Sequence, residues 1–306
     1  RFGVRTPAGL GESERLSGRS AAAPEGWAQA QDMVGTMIDR VVAYYGEYDE
    51  ASRLSGPWGQ VEFARTQRII ERHLQGPPAV VLDVGGAAGR YAGWLAAEGY
   101  EVHLIDPVPR HVRQALEASS RQAKTPIASC SVGDGRQLAF GDGVADGVLL
   151  LGPLYHLVEA RDRRRALAEA KRVLKSGGYL FAAGISRFAS TIDGLTSGRY
   201  RDPAFQEIVH GDLEDGQHRN PTGHPDYFTD TFFHHPDELR AEVAAAGFDV
   251  AGLLAIEGIG YMMQDLDESW SHPGYRQLLL DIIRRTEEEP TLIGASPHIM
   301  CVGVTS

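Results

Sequence analysis

The chain has 306 residues, 42% hydrophobic and 23% charged, the profile of a soluble globular protein long enough to bury a large core. Its formal net charge of -11 argues against a dedicated DNA or RNA binder, which must neutralise phosphates with lysine and arginine. No apolar run approaches the ~20 residues that span a bilayer, and two cysteines, Cys130 and Cys301, are too few for a CxxC-type zinc site or an iron–sulfur cluster.

Residues 1–30 are rich in Gly, Ser, Ala and Arg and lack the apolar core of a signal peptide. They read as a flexible tail, and the expected compartment is cytoplasmic, with both thiols reduced and buried. Residues 31–76 read as an N-terminal helical cap. Met33, Met37, Val41 and Val42 recur at helical spacing, and the aromatic stretch AYYGEYDEASRL follows. GPWG at 56–59 punctuates the pattern. VEFARTQRIIERHL then turns Phe63, Ile69, Ile70 and Leu74 to one side, and GPP at 76–78 ends it.

From residue 77 the texture alternates. AVVLDV is a continuous apolar strand, as expected for one covered on both faces. The helix GRYAGWLAAEG, the strand EVHLID, the helix PRHVRQALEAS and the strand IASCSV follow. The strand DGVLLLG leads to the helix RDRRRALAEAKRVLKSGG, which Gly177 and Gly178 should close, and then to the strand YLFAAGI. This order predicts an α/β fold, a Rossmann-like doubly wound sheet. Residues 187–233 break the rhythm and are too long for a passive loop, so a lid or substrate-facing insertion is expected there. HPDELRAEVAAAGF and DVAGLLAIEG resume the pattern. Residues 259–296 form a second, helical insertion containing YRQLLLDIIRRTEEE, and HIMCVGVTS is a last strand.

The chemistry starts at VVLDVGGAAGRY, residues 80–91. A glycine turn between a strand and a helix lets backbone approach a ligand closely. A dinucleotide site needs G-x-G-x-x-G, but counting from Gly85, position 87 is alanine. Asp83, two residues before the glycines, would repel a pyrophosphate and would suit a cationic amino group. Asp106 ends the next strand about 20 residues on, where a carboxylate can accept both ribose hydroxyls. Asp134 follows the third strand in GDGRQLAF, where a carboxylate can accept an adenine amine. One acid for an amino-acid end, one for a ribose and one for an adenine describe S-adenosylmethionine (SAM).

Residues 79–185 thus resemble the class I SAM-dependent methyltransferases. VVLDVGGAAGR is similar to the family's first motif, LIDPV to its acidic second strand, VGDGRQLAF to its adenine-contact motif and ADGVLLLGPLYHL to its fourth strand. The resemblance covers most of 60–306 and implies a seven-stranded sheet whose last strand runs antiparallel. It departs at Ala87, where many members have glycine. It implies that Asp83, Gly85, Gly86 and Gly89 shape the methionine pocket, and that Asp106 and Pro107 hold the ribose. Asp134 and Gly135 would face adenine, and Leu151 and Gly152 would line the floor under the sulfonium. It also implies that an N-terminal helical segment closes over the cofactor, with Tyr45, Tyr48 and Arg53 as the closing residues.

For the acceptor, Tyr155 and His156 in GPLYHL stand at the sheet's functional edge, His156 as general base or substrate anchor. GPLY lacks the polar first residue and second proline of the (D/N)PPY motif of enzymes that methylate nucleic-acid amines. His210, His218, His224, Tyr227, Phe228, His234 and His235 suit a pocket for a small polar or aromatic metabolite. No metal is expected, since no histidine pair has HExxH spacing. The leading expectation is methyl transfer to an oxygen or nitrogen of a small molecule, without nucleic-acid or membrane partners and with a homodimer left open. The alternatives are a SAM-binding partner protein without turnover, a protein or RNA methyltransferase and, more distantly, a nicotinamide-dependent oxidoreductase.

Overall fold

The structure is a computed structural model that describes Tyr44, Tyr45, residues 53–122 and residues 125–306. The expected tail at 1–30 and much of the expected cap, Tyr48 included, lie outside the described residues. Helix α1 (Pro57–His73) begins inside GPWG, with Pro57 in the first turn, where its missing N–H is no loss. Its Ile69 and Ile70 join the main core, while Val61 packs with Trp270 and Ile283.

The alternating pattern folds as β1 (Val80–Val84), α2 (Arg90–Ala97), β2 (Glu101–Asp106), α3 (Pro109–Ser120), β3 (Ser129–Val132) and β4 (Ala145–Leu150). A short helix α4 (Pro153–His156), then α5 (Ala160–Val173) and β5 (Leu174–Ser186) follow. These five strands are parallel in the order β3-β2-β1-β4-β5. The first insertion forms α6 (Ala189–Ser197), α7 (Pro203–Asp215), β6 (Gln217–His218) and β7 (Thr231–His234). The chain continues through α8 (Pro236–Ala245), β8 (Asp249–Ala255), α9 (Leu266–Ser271) and α10 (Pro273–Thr286) to β9 (His298–Val304).

Strand β9 lies antiparallel between β5 and β8, which completes the expected seven strands. Two short ones are added: β7 pairs parallel with the end of β5, and β6 pairs antiparallel with β7, giving nine in all. Ile185 is therefore paired twice, with Phe233 of β7 and with His298 of β9. Gly177 and Gly178 do not cap α5. That helix ends at Val173, and both glycines lie within β5, where their N–H groups bond the carbonyl and the hydroxyl of Thr305. Gly177 has φ +77, so its left-handed turn bends β5 rather than stopping the helix. Cys301 is buried and Cys130 half-buried, both free thiols. No described helix is long and apolar enough to cross a membrane.

Candidate active site

Strand β1 delivers Asp83 into the interior, where it is 1% exposed. Its Oδ2 accepts a hydrogen bond from the Ala92 N–H at 3.1 Å. Burial pushes the carboxyl up to about 7 against that bond, and the charge of Asp106 adds to the rise. The turn that follows depends on its glycines. Gly85 has φ +70, and a Cβ there would sit 2.7 Å from the Pro153 ring. A Cβ on Gly86 would sit 2.7 Å from the Asp83 carboxyl. Ala87, where the family pattern has glycine, takes φ +48 and carries the strain of a left-handed alanine. Gly89 has φ +81 and starts α2.

A cavity opens over this turn, lined by Asp83, Gly85, Gly86, Ala87, Leu151, Gly152, Tyr155, Arg53 and Arg90 among others. One buried acid and two cations against exposed backbone fit the amino-acid end of SAM. Asp83 matches its ammonium, and Arg53 and Arg90 match its carboxylate.

The other two acids stand where the sequence placed them, but their carboxylates are engaged. Asp106 accepts from the Ala87 N–H at 2.9 Å, the Val108 N–H at 2.9 Å and His111 Nδ1 at 3.1 Å, and it is 3% exposed. Oδ2, which among the described residues holds only the Ala87 N–H, keeps an acceptor position for a ribose hydroxyl. Asp134 is held by Arg136, which donates to both of its oxygens and also reaches Asp162. An adenine amine would have to share that carboxylate. Gly135 is pressed against β1, where a Cβ would sit 3.0 Å from Val84. Pro107 is half-buried beside Asp106.

A second cavity of about 260 Å³ lies next to the first. The insertion supplies Ser190, Asp193, Phe205, His218, Asp226, Tyr227 and Phe228, and the sheet edge supplies Ile185, Phe233 and His298. Tyr155 and Arg53 line both cavities. Tyr45, expected against the cofactor, lines this second cavity instead. Its hydroxyl bonds His156 Nε2 at 2.8 Å, and its ring meets His111 edge-on at 5.5 Å.

His156 does not fit the role of general base. Burial, with the nearby Arg53 cation, holds its imidazole down to about 3, so it is neutral and a weak proton acceptor. Its Nε2 is taken by Tyr45 and its Nδ1 is buried without a partner among the described residues. Of the insertion's histidines, His218 lines the cavity with Nδ1 on the Asp212 carboxylate and Nε2 on the Tyr227 carbonyl. His234 is buried against Glu242, and His224 and His235 accept backbone N–H bonds from residues two further on.

The sequence reading missed a charged cluster at the cavity's edge: Glu62, Glu257 and His298, with ligand atoms within 4.8 Å of one another. Arg53 clamps Glu62 with bonds of 2.6 and 3.0 Å. Glu257 accepts from His298 Nδ1 at 2.6 Å, from the His298 N–H and from the Ser296 hydroxyl. The available signals were weak, a glutamate after one strand in AIEG and a histidine opening another in SPHIMC.

A family model described as "Methyltransferase domain" matches residues 82–182. The domain belongs to the class I SAM-dependent methyltransferases. Its cofactor is SAM. The chain is 33% identical over 112 residues to the ubiquinone/menaquinone biosynthesis C-methyltransferase UbiE of Acidiphilium cryptum, a stretch covering 36% of this chain and 44% of that protein. The chain thus matches less than half of that relative's own length. It is 24% identical to methyltransferase GfsG of Streptomyces halstedii over 74% of this chain and 72% of that one. A SAM-dependent methyltransferase structure from Methanosarcina mazei has the same fold at TM-score 0.51 and 20% identity, covering 78% of this chain and 96% of that one. The methyltransferase match spans most of β1 through most of β5, which includes the first cavity's lining apart from Arg53 and Leu54 and none of the insertions around the second.

Proposed function

We propose that this chain transfers the SAM methyl group to an oxygen or nitrogen of a small molecule held in the second cavity. The observation that carries this reading is the shared wall, in which Arg53 and Tyr155 line both cavities. A one-step displacement needs donor and acceptor adjacent and in line, with water kept out. When bound, SAM supplies an electrophilic methyl on a sulfonium. The chain's own residues bind and orient. Asp83 takes the ammonium, the glycine turn gives the cofactor room, and Tyr155 with Phe205, Tyr227, Phe228 and Phe233 gives the acceptor an aromatic wall.

The cavity's size favours a small metabolite over a macromolecule, and the net charge of -11 disfavours a nucleic acid. Calorimetric titration with S-adenosylhomocysteine tests the cofactor half, and product release with a panel of small aromatic acceptors tests the other. Micromolar binding and turnover on the panel are expected. Binding of NADH in place of S-adenosylhomocysteine would overturn the reading. Turnover on tRNA or a protein but not on the panel would overturn its acceptor.

A further inference from the structure

We infer that His298, positioned by Glu257, is the cationic anchor of the acceptor cavity, and that the cavity takes a phenolic hydroxyl and holds it as its oxyanion. The inference rests on the methyltransferase reading and narrows its acceptor.

The dyad is built into the sheet. Ala255 of β8 pairs with Ile299 of β9, so Glu257 and His298 leave adjoining antiparallel strands side by side. The Ile256 N–H bonds the His298 carbonyl at 3.0 Å and fixes the spacing. Three donors hold the Glu257 carboxylate, one of them His298 Nδ1. That bond places a proton on Nδ1 and fixes the ring. No hydrogen bond among the described residues uses Nε2, although His298 lines the cavity and its side chain is 22% exposed. The ring therefore offers the acceptor its second nitrogen. His156 offers neither of its own.

The groups facing His298 are Glu257, Glu62 and Arg53, with Asp193, Asp226, Tyr261 and His218 on the remaining cavity wall. Burial pulls His298 down, but the two glutamates and the Glu257 bond outweigh it and raise the ring to about 9, with Arg53 opposing. The ring so raised stands as the imidazolium near neutral pH, and its charge can stabilise the anion of a phenol, whose pKa is about 10 for tyrosine. One such charge is far too little to hold the anion of an aliphatic hydroxyl with the acidity of water, about 15.7. The aromatic wall selects the same class, since it offers flat faces to a ring.

The step balances. The phenol gives its proton to solvent, the Nε2–H of the imidazolium bonds the phenolate oxygen, and that oxygen forms a bond to the methyl carbon. The carbon–sulfur pair returns to sulfur, and His298 keeps its proton throughout. The four charged groups also argue against a metal at Glu62, Glu257 and His298, because Arg53 and the imidazolium already neutralise both acids.

The test uses the full chain, with and without S-adenosylhomocysteine, and 4-nitrophenol, whose phenolate absorbs apart from its phenol. It is run well below the probe's own pKa. The wild type is expected to bind the probe as the anion. His298→Asn should bind it but reduce the anionic fraction at least about tenfold. Glu257→Asp should retain more of that fraction than Glu257→Gln, because positioning needs a carboxylate on Nδ1. If Glu257→Gln fails to fold, His298→Asn alone decides. Wild-type binding of the neutral phenol, no probe binding at all, or an unchanged anionic fraction in His298→Asn would each overturn the inference. S-adenosylhomocysteine binding, measured separately, separates that failure from failure of the methyltransferase reading.

Discussion

The cofactor turn and the acceptor cavity share two residues and are built in opposite ways. The turn is continuous. Residues 83–91 and the start of α4 make most of it, and its chemistry follows from a strand end, a glycine geometry and one acid. The cavity is gathered from the N-terminal segment, α1's approach, the first insertion, the loop after β8 and the first residue of β9. A turn of the first kind is fixed by local sterics and can be recognised from a dozen residues. A cavity of the second kind exists only once distant strands have paired.

Four substitutions and one pH titration break or sharpen that contrast. The largest effect is expected from Asp83→Ala, which should weaken S-adenosylhomocysteine binding about 100-fold by removing a charge-assisted bond, without unfolding the chain. Calorimetry on the variant checks it, and near-wild-type affinity would remove Asp83 from the cofactor site. The wild type carries a matching pH signature. The Asp83 carboxyl is raised in the fold from 3.8 to about 7, so the free chain loses stability as pH rises between those values. A bound ammonium favours the carboxylate, so affinity should fall as pH drops below about 7. A flat affinity across that range would contradict the pairing.

Arg53→Ala should affect both regions at once. It leaves buried Glu62 without its clamp, a loss of about 2 kcal/mol for a half-buried pair, and it should weaken both ligands. Urea denaturation with calorimetry checks it, and an effect on only one ligand would show that the two cavities act independently. Tyr45→Phe removes the bond to His156, expected to lower stability by about 1 kcal/mol, and leaves cofactor affinity unchanged if Tyr45 belongs to the acceptor side. The smallest change is Ala87→Gly, which relieves a left-handed alanine and should raise the melting point by the equivalent of roughly 0.5 kcal/mol. A fall would mean the strain is compensated within the turn.

The contrast also explains what the sequence made legible. The βα order, Asp83 and the glycine turn could be read because strand, turn and helix signals are local. Asp106 and Asp134 were found at the right strand ends, but residue type does not reveal what a carboxylate already holds. Arg136, two residues past Asp134, is the local sign that this carboxylate is already held. His156 was favoured because it follows the fourth strand, yet its neighbour Tyr45 is 111 positions away. His298 and Glu257 were hidden for the same reason, since only the β8–β9 register joins them. Gly177 and Gly178 were misread because a glycine pair after a helix also serves a bent strand.

The double pairing of Ile185 has an evolutionary reach. The first insertion leaves the sheet after Ser186 and returns beside it, where Ser186 pairs with His234. Its two ends are thus one strand spacing apart, about 4.8 Å. A segment whose ends nearly touch can be lengthened, shortened or exchanged with little change in closure entropy. Most of the acceptor wall is therefore a replaceable cassette on a fixed chassis, so a transplanted 187–233 segment from a relative should change which molecule is chosen and leave the cofactor turn untouched.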